Sequence, residues 1–265
     1  MTQTSRTQSE RGLSGKHALV TGGSRGIGAA IANLLLAHGA RVTAISRTGT
    51  VGNSEGATRI ANEFTSITAD VTNPNAISKA FTEARSRFGA INILINNAGQ
   101  AASAPFSKTA LTMWRSMMAV NVDGTFYCSQ AALPDMLEGC WGRIVNISST
   151  AGLTGYAYVS AYCAAKHAVV GLTRALALEV APKGVTVNAV CPGYTQTDMV
   201  EKSVANIVAR TGRTREEALA QLVAHNPQKR LIQPEEVANA VVWLCLPGSE
   251  AVTGQTIAVS GGETI

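Results

Sequence analysis

Short apolar runs rich in Val, Ile and Ala recur along this chain, each followed by a longer stretch of helical periodicity. The strand candidates are His17–Thr21, Arg41–Ser46, Phe64–Ala69, Ile91–Ile95, Arg143–Ile147, Thr186–Val190 and Gln255–Val259. Helix candidates lie between them at Ile27–His38, Asn75–Phe88, Thr112–Leu137, Ser160–Ala181 and Glu235–Leu246. Strands apolar on both faces need cover on both faces, so the alternation predicts an α/β fold with a doubly wound parallel sheet of seven strands. Pro74 and Pro234 stand where a first helical turn tolerates proline, and Gly39 and Gly89 where a helix end favours glycine.

Composition agrees with a large aliphatic core. Of the 265 residues 46% are apolar and only 15% charged, against about 25% charged in an average globular domain. The longest uncharged run, Ile144 to Ala165, carries Asn146 and a cluster of Ser, Thr, Gly and Tyr, unlike a membrane helix. The net charge is +5, but the 22 basic residues are scattered rather than gathered on one stretch, which argues against nucleic acid. Five widely spaced cysteines with no C-x-x-C pair predict neither a disulfide framework nor a metal site. With no secretory signal in the polar residues 1–12, a cytoplasmic protein is expected. No repeat or linker divides the chain. We expect a flexible tail over residues 1–14 and a single domain over 15–265. The long polar connection at about 196–226 follows a strand and should overhang the carboxyl edge of the sheet as a helical substrate lid.

The first strand ends in T-G-G-S-R-G-I-G, Thr21 to Gly28, and runs directly into an apolar helix. Gly22, Gly26 and Gly28 clear side chains from a turn whose amides, with the helix N-terminus, can receive a pyrophosphate. The spacing is G-x-x-x-G-x-G, so its position counts for more than its regularity. An acid about 20 residues on would bond a ribose hydroxyl, whereas an arginine there accommodates a 2′-phosphate. The second strand ends in Ile45-Ser46-Arg47, and Arg25 in the glycine loop can reach the same place. NADP(H) is therefore expected, with NAD(H) as the alternative.

Tyr162 and Lys166 stand four apart and share a helix face. A neighbouring ammonium should lower the phenol's pKa and make it a usable proton donor near neutrality. Ser148 and Ser149 close the preceding strand, and Asn96-Asn97-Ala98-Gly99 follows another strand at the same sheet edge.

Together these motifs resemble the short-chain dehydrogenase/reductase family over about residues 14–263, which implies a Rossmann-like fold and oxidoreduction at a CH–OH group. The resemblance implies catalytic roles for Asn121, Ser149, Tyr162 and Lys166. It implies cofactor contacts at Gly22, Ser24, Arg25, Gly26, Ile27, Gly28, Ser46, Arg47, Asp70, Val71, Asn97, Ala98, Gly99, Tyr162 and Lys166. Pro192-Gly193, with Thr195 and Thr197, is similar to the loop that closes over the nicotinamide. Gln100, Ser149, Tyr162 and Tyr194 are the expected substrate contacts. The resemblance also implies a homotetramer, in keeping with the small and apolar residues nearly all round Ser160–Ala181.

The lid run V-E-K-S-V-A-N-I from Val200 is similar to 3-hydroxybutyrate dehydrogenases. Those enzymes hold a free carboxylate with a histidine and a lysine near the serine. Here Ala151 replaces the histidine and Thr154–Ala161 has no lysine. The expected substrate is therefore a ketone, foremost a 3-oxoacyl thioester linked to coenzyme A or an acyl carrier protein. The alternative is an NAD-dependent secondary alcohol or 3-hydroxybutyrate-type dehydrogenase working oxidatively. Arg210, Arg213, Arg215, Lys229 and Arg230 would either meet the phosphates of coenzyme A or the acidic face of an acyl carrier, or form a solvated face.

Overall fold

The structure, a computed structural model, describes residues 12–48 and 62–264. Seven strands form one parallel sheet in the order β3-β2-β1-β4-β5-β6-β7. They are β1 (His17–Thr21), β2 (Arg41–Ser46), β3 (Phe64–Thr68), β4 (Ile93–Asn96), β5 (Gly142–Ile147), β6 (Val185–Pro192) and β7 (Thr256–Val259). The chain winds outward from β1 through β2 to β3, then crosses back to β4 on the other side of β1. That reversal leaves a crevice between the carboxyl ends of β1 and β4, where open α/β sheets bind ligands.

Successive strand residues feed opposite faces. Ala18 and Val20 join a core with Ile31 and Leu35 of α1 (Gly26–Ala37) and Val237 and Val241 of α8 (Pro234–Trp243). Leu19, Leu94 and Ile144 point the other way, against Ile77 and Phe81 of α2 (Pro74–Phe88) and Cys128, Ala132 and Met136 of α4 (Gly124–Glu138). Ala177 and Val180 of α5 (Ser160–Val180) complete that face. Each fully buried Leu, Ile or Phe contributes roughly 1.5–3 kcal/mol. The caps follow the sequence: Asn73 accepts from Asn75 N and Ala76 N ahead of Pro74, and Gln233 and Glu236 form a capping box around Pro234. Gly39 and Gly89 take φ of 88° and 80° just past their helices.

Two expectations are corrected. The tail was expected to run to residue 14, but Leu13 is fully buried in the α1–α8 core and its N–H donates to His38 O at 3.0 Å. The rest of that tail, residues 1–11, lies outside the described residues. The helix expected at Thr112–Leu137 is divided into α3 (Leu111–Met118), a π-helical turn (Ala119–Asp123) and α4. The segment expected to be a lid consists of α6 (Asp198–Thr211) and α7 (Arg215–Leu222). Val200, Val204 and Ala218 give it a small core of its own, closed by Tyr194, Leu222 and Leu231. A single bridge, Thr195 to Ile232, fastens its base.

Candidate active site

Every element of the site ends at the carboxyl edge of the sheet. At the crevice, the Thr21 hydroxyl accepts from Asn97 N and Ala98 N, each at 3.0 Å. The Asn97 amide donates back to Thr21 O at 2.9 Å and Gly22 O at 3.1 Å. The two strand ends are thereby tied across the switch point. The glycine loop turns through Gly22 (φ 64°) and Gly26 (φ 53°), conformations that side chains resist. A Cβ on Gly28 would lie 2.2 Å from Gly22 O, so α1 can enter the turn this closely only with glycine there. Arg25 is the N-cap of α1 but supplies no capping bond, leaving the first amides open to an anion. Ser24, Gly26 and Ile27 are partly buried beside them.

At the tip of β2, Ser46 is partly buried and Arg47 exposed, with no acid between β2 and the glycine loop among the described residues. Asp70, on the loop after β3, accepts from Thr72 N and Thr72 Oγ1, both at 2.9 Å. These bonds, with the Arg47 guanidinium adding to them, hold its carboxyl below the usual range. Val71 is buried against Gly124, where a Cβ would approach Val71 Cγ2 to 2.8 Å. Cleared glycines and open helix amides fit the phosphates of a dinucleotide. Arg25 itself pairs with Asp198 at the lid base, 3.2 Å away, in an exposed contact worth little energy.

The residues expected to be catalytic come from three elements. Lys166 is 5% exposed, and its ammonium donates to Ile147 O at 2.9 Å. One turn earlier on α5, Tyr162 opens partly to the cleft, its ring centroid 5.6 Å from that ammonium. The two serines at the end of β5 separate. Ser148 is buried and donates to Lys166 O at 3.0 Å, whereas Ser149 is partly buried and accepts from Ala151 N at 3.1 Å. Asn121 sits in the π-helical turn, its amide donating to Gln100 O and Met117 O, each at 3.0 Å. The wider turn swings this amide inward, as π-bulges at functional sites do. A Cβ on Gly99 would lie 2.9 Å from Asn121 Oδ1 and 3.6 Å from Lys166 Nζ, so glycine keeps that space open.

The expectation that Lys166 lowers the pKa of Tyr162 is corrected. Desolvation pushes the phenol up to about 12, and a hydrogen bond from Ser149 opposes this only in part. Desolvation also brings Lys166 down to about 8. The ammonium is committed to a carbonyl rather than to the phenol, so burial decides both groups.

Pro192 is buried at the end of β6, and Gly193 N donates to Val259 O at 3.0 Å. Thr195 Oγ1 donates to Gly193 O at 3.0 Å and Thr197 Oγ1 to Thr195 O at 3.2 Å, so both hydroxyls brace the loop. The Gln100 amide donates to Ser116 O at 3.0 Å, on α3. Tyr194 is partly buried beneath the lid. Of the basic lid residues, Arg215 pairs with Glu201 at 2.8 Å and Arg230 with Glu236 at 2.7 Å, which favours the solvated face over phosphate contact. The five cysteines are free, and no cluster of potential metal ligands occurs among the described residues. No helix among them is long and apolar enough to cross a membrane.

Sequence reasoning passed over Thr21, Tyr156 and Glu263. Thr21 carries a signal, a hydroxyl immediately before the glycines. Tyr156 and Glu263 meet across 107 residues with a 2.7 Å hydrogen bond, and no local pattern announces that.

The family model described as short chain dehydrogenase matches residues 16–208. This chain belongs to the short-chain dehydrogenase/reductase family. It is 39% identical to the 3-oxoacyl-[acyl-carrier-protein] reductase FabG of Vibrio cholerae, covering 94% of this chain and 98% of the relative. It is 34% identical to the D-beta-hydroxybutyrate dehydrogenase of Rhizobium meliloti, again covering 94% and 98%. Among solved structures, an actinorhodin polyketide ketoreductase with NADPH aligns at TM-score 0.86 and 36% identity, over 94% of this chain and 97% of that one. The chain is thus an oxidoreductase of a family that works with NAD(P) and acts on CH–OH groups.

Proposed function

We propose that this oxidoreductase reduces ketones to secondary alcohols with NADP(H), and that its substrate class is the 3-oxoacyl thioester of coenzyme A or an acyl carrier protein. The observation that carries the reading is the pairing of a Ser149–Tyr162 carbonyl site with a cofactor crevice whose β2 tip offers Arg47 and, among the described residues, no carboxylate. An arginine fork pairs with a 2′-phosphate, and a carboxylate there would repel it. The relatives named as 3-oxoacyl reductase and ketoreductase support the substrate class.

When bound, the nicotinamide supplies the hydride. Gly22, Gly26 and Gly28 would cradle its phosphates against the α1 N-terminus, with Arg25, Ser46 and Arg47 around the adenosine ribose and Asp70 and Val71 beside the adenine. Lys166, Asn97–Gly99 and the Pro192–Thr197 loop would hold the nicotinamide half. Ser149 donates a hydrogen bond to the carbonyl oxygen, where negative charge builds. Tyr162 passes its proton to that oxygen, which completes the alcohol. A phenol held near 12 stays protonated at neutral pH, so it carries a proton for the more basic alkoxide that forms as hydride arrives. Asn121, by holding Gln100 and the turn beneath it, keeps a polar path from Lys166 toward solvent. We place the enzyme in the cytoplasm as a homotetramer.

The similarity to the D-beta-hydroxybutyrate dehydrogenase favours one second reading, NAD-linked oxidation. The two separate on cofactor preference. With a panel including acetoacetyl-CoA and its N-acetylcysteamine thioester, kcat/KM with NADPH should exceed that with NADH by at least about tenfold, a difference of about 1.4 kcal/mol. Tyr162→Phe should lower kcat by roughly 10²–10⁴ while cofactor still binds. A preference for NADH would reverse the cofactor assignment, and near wild-type turnover by Tyr162→Phe would remove the acid.

A further inference from the structure

The Glu263 carboxylate has no part in the proposed chemistry, yet the fold holds it in a fixed place. After β7 the chain turns through Gly261 (φ 63°) and Gly262 (φ 92°), which sends the Glu263 side chain back over the loop after β6. A Cβ on Gly193 would lie 2.8 Å from Glu263 Oε2, so the carboxylate rests on the backbone immediately before Tyr194. Tyr156, seven residues past Ser149, donates its hydroxyl to Glu263 Oε1 at 2.7 Å. Tyr194 follows Gly193 directly, so the carboxylate lies beside the loop that carries it, and after burial the Glu263 charge is what raises the Tyr194 phenol. Among the described residues no lysine or arginine forms an ion pair with Glu263.

We infer that Glu263, held by Tyr156, gives the carbonyl pocket a negatively charged wall, so that the site admits ketones that are neutral or hydrogen-bond donating beyond the carbonyl and rejects free 3-oxo acids. This rests on the reading of Ser149 and Tyr162 as the carbonyl site and names its substrate class more closely. A like charge brought into a partly buried pocket is strongly disfavoured, whereas a neutral ester or thioester of the same shape is not. The missing histidine and lysine near the serine fit the same selection, because Ala151 and Thr154–Ala161 offer a free carboxylate no cation and Glu263 supplies an anion.

The test compares acetoacetate with methyl acetoacetate, nearly the same shape with and without the charge. In the wild type, kcat/KM should favour the ester by at least about tenfold. Glu263→Gln, which keeps shape and hydrogen bonding, should shrink that ratio by about tenfold. Tyr156→Phe, which keeps the charge, should leave the ester ahead. Where either compound turns over too slowly, both are run as competitive inhibitors of the fastest ketone and the ratio of inhibition constants is read. Equal use of the two by the wild type, or an unchanged ratio in Glu263→Gln, overturns the inference alone. Absence of any ketone turnover by the wild type would instead overturn the carbonyl-site reading and this inference with it.

Discussion

Lys166 is a lysine that folding must desolvate, with an ordinary value of 10.5 brought down to about 8. At neutral pH the folded chain therefore holds a charge that the unfolded chain holds more cheaply. Between about 8 and 10.5 the unfolded state binds more protons, so this group's contribution to stability rises with pH across that window. Lys166→Met should raise the melting temperature at pH 7 by on the order of 5 °C while reducing turnover by at least about 10². Denaturant titrations at pH 7 and pH 10 should show the stability gap between variant and wild type shrinking at the higher pH. In activity, kcat/KM for the cofactor, which reports the free enzyme, should fall above about pH 8 as Lys166 loses its charge. Tyr162 remains a phenol over that whole range, so an alkaline limb near 12 would transfer the controlling role to Tyr162.

At the scale of elements, the site is where strand ends meet helix starts. The Gly28 contact makes the sharpest prediction, because a methyl group there would press on the Gly22 carbonyl oxygen rather than on a movable side chain. Gly28→Ala should cost about 1–3 kcal/mol in denaturant unfolding and weaken cofactor binding more than about tenfold by titration. Wild-type affinity would mean that the turn tolerates a wider entry into α1. The strands were legible because strands buried on both faces read as unbroken apolar runs. The caps were legible because proline and glycine stand at fixed offsets from helix ends. The π-helical turn at Ala119–Asp123 was not, since it is one added residue in the hydrogen-bond ladder and nothing in the local composition punctuates it. Tyr162 and Lys166 were found by spacing, but spacing carries no information on desolvation, so the direction of the phenol's shift was misread. Tyr156 and Glu263 escaped because their meeting depends on how β6 and β7 pair, a tertiary fact.

At the scale of the molecule, the protomer leaves large apolar side chains open on the outer helices. Leu111 is 60%, Phe126 46% and Leu178 82% exposed, on α3, α4 and α5 respectively. The resemblance implies four copies, and these residues are the natural ones for neighbours to cover. Sedimentation of the wild type should give a mass near four protomers. Leu178→Lys should shift the distribution toward smaller species, and an unchanged tetramer would place the contacts on another face.

The Thr195–Ile232 bridge joins the two stems of the α6–α7 segment, which keeps Val200, Val204 and Ala218 for its own interior. A cap constructed that way behaves as an exchangeable cassette. Its outer sequence can drift, lengthen or be grafted from a relative while the proton donor beneath stays in register. Diversification of what the enzyme accepts is thus uncoupled from inheritance of how it reacts.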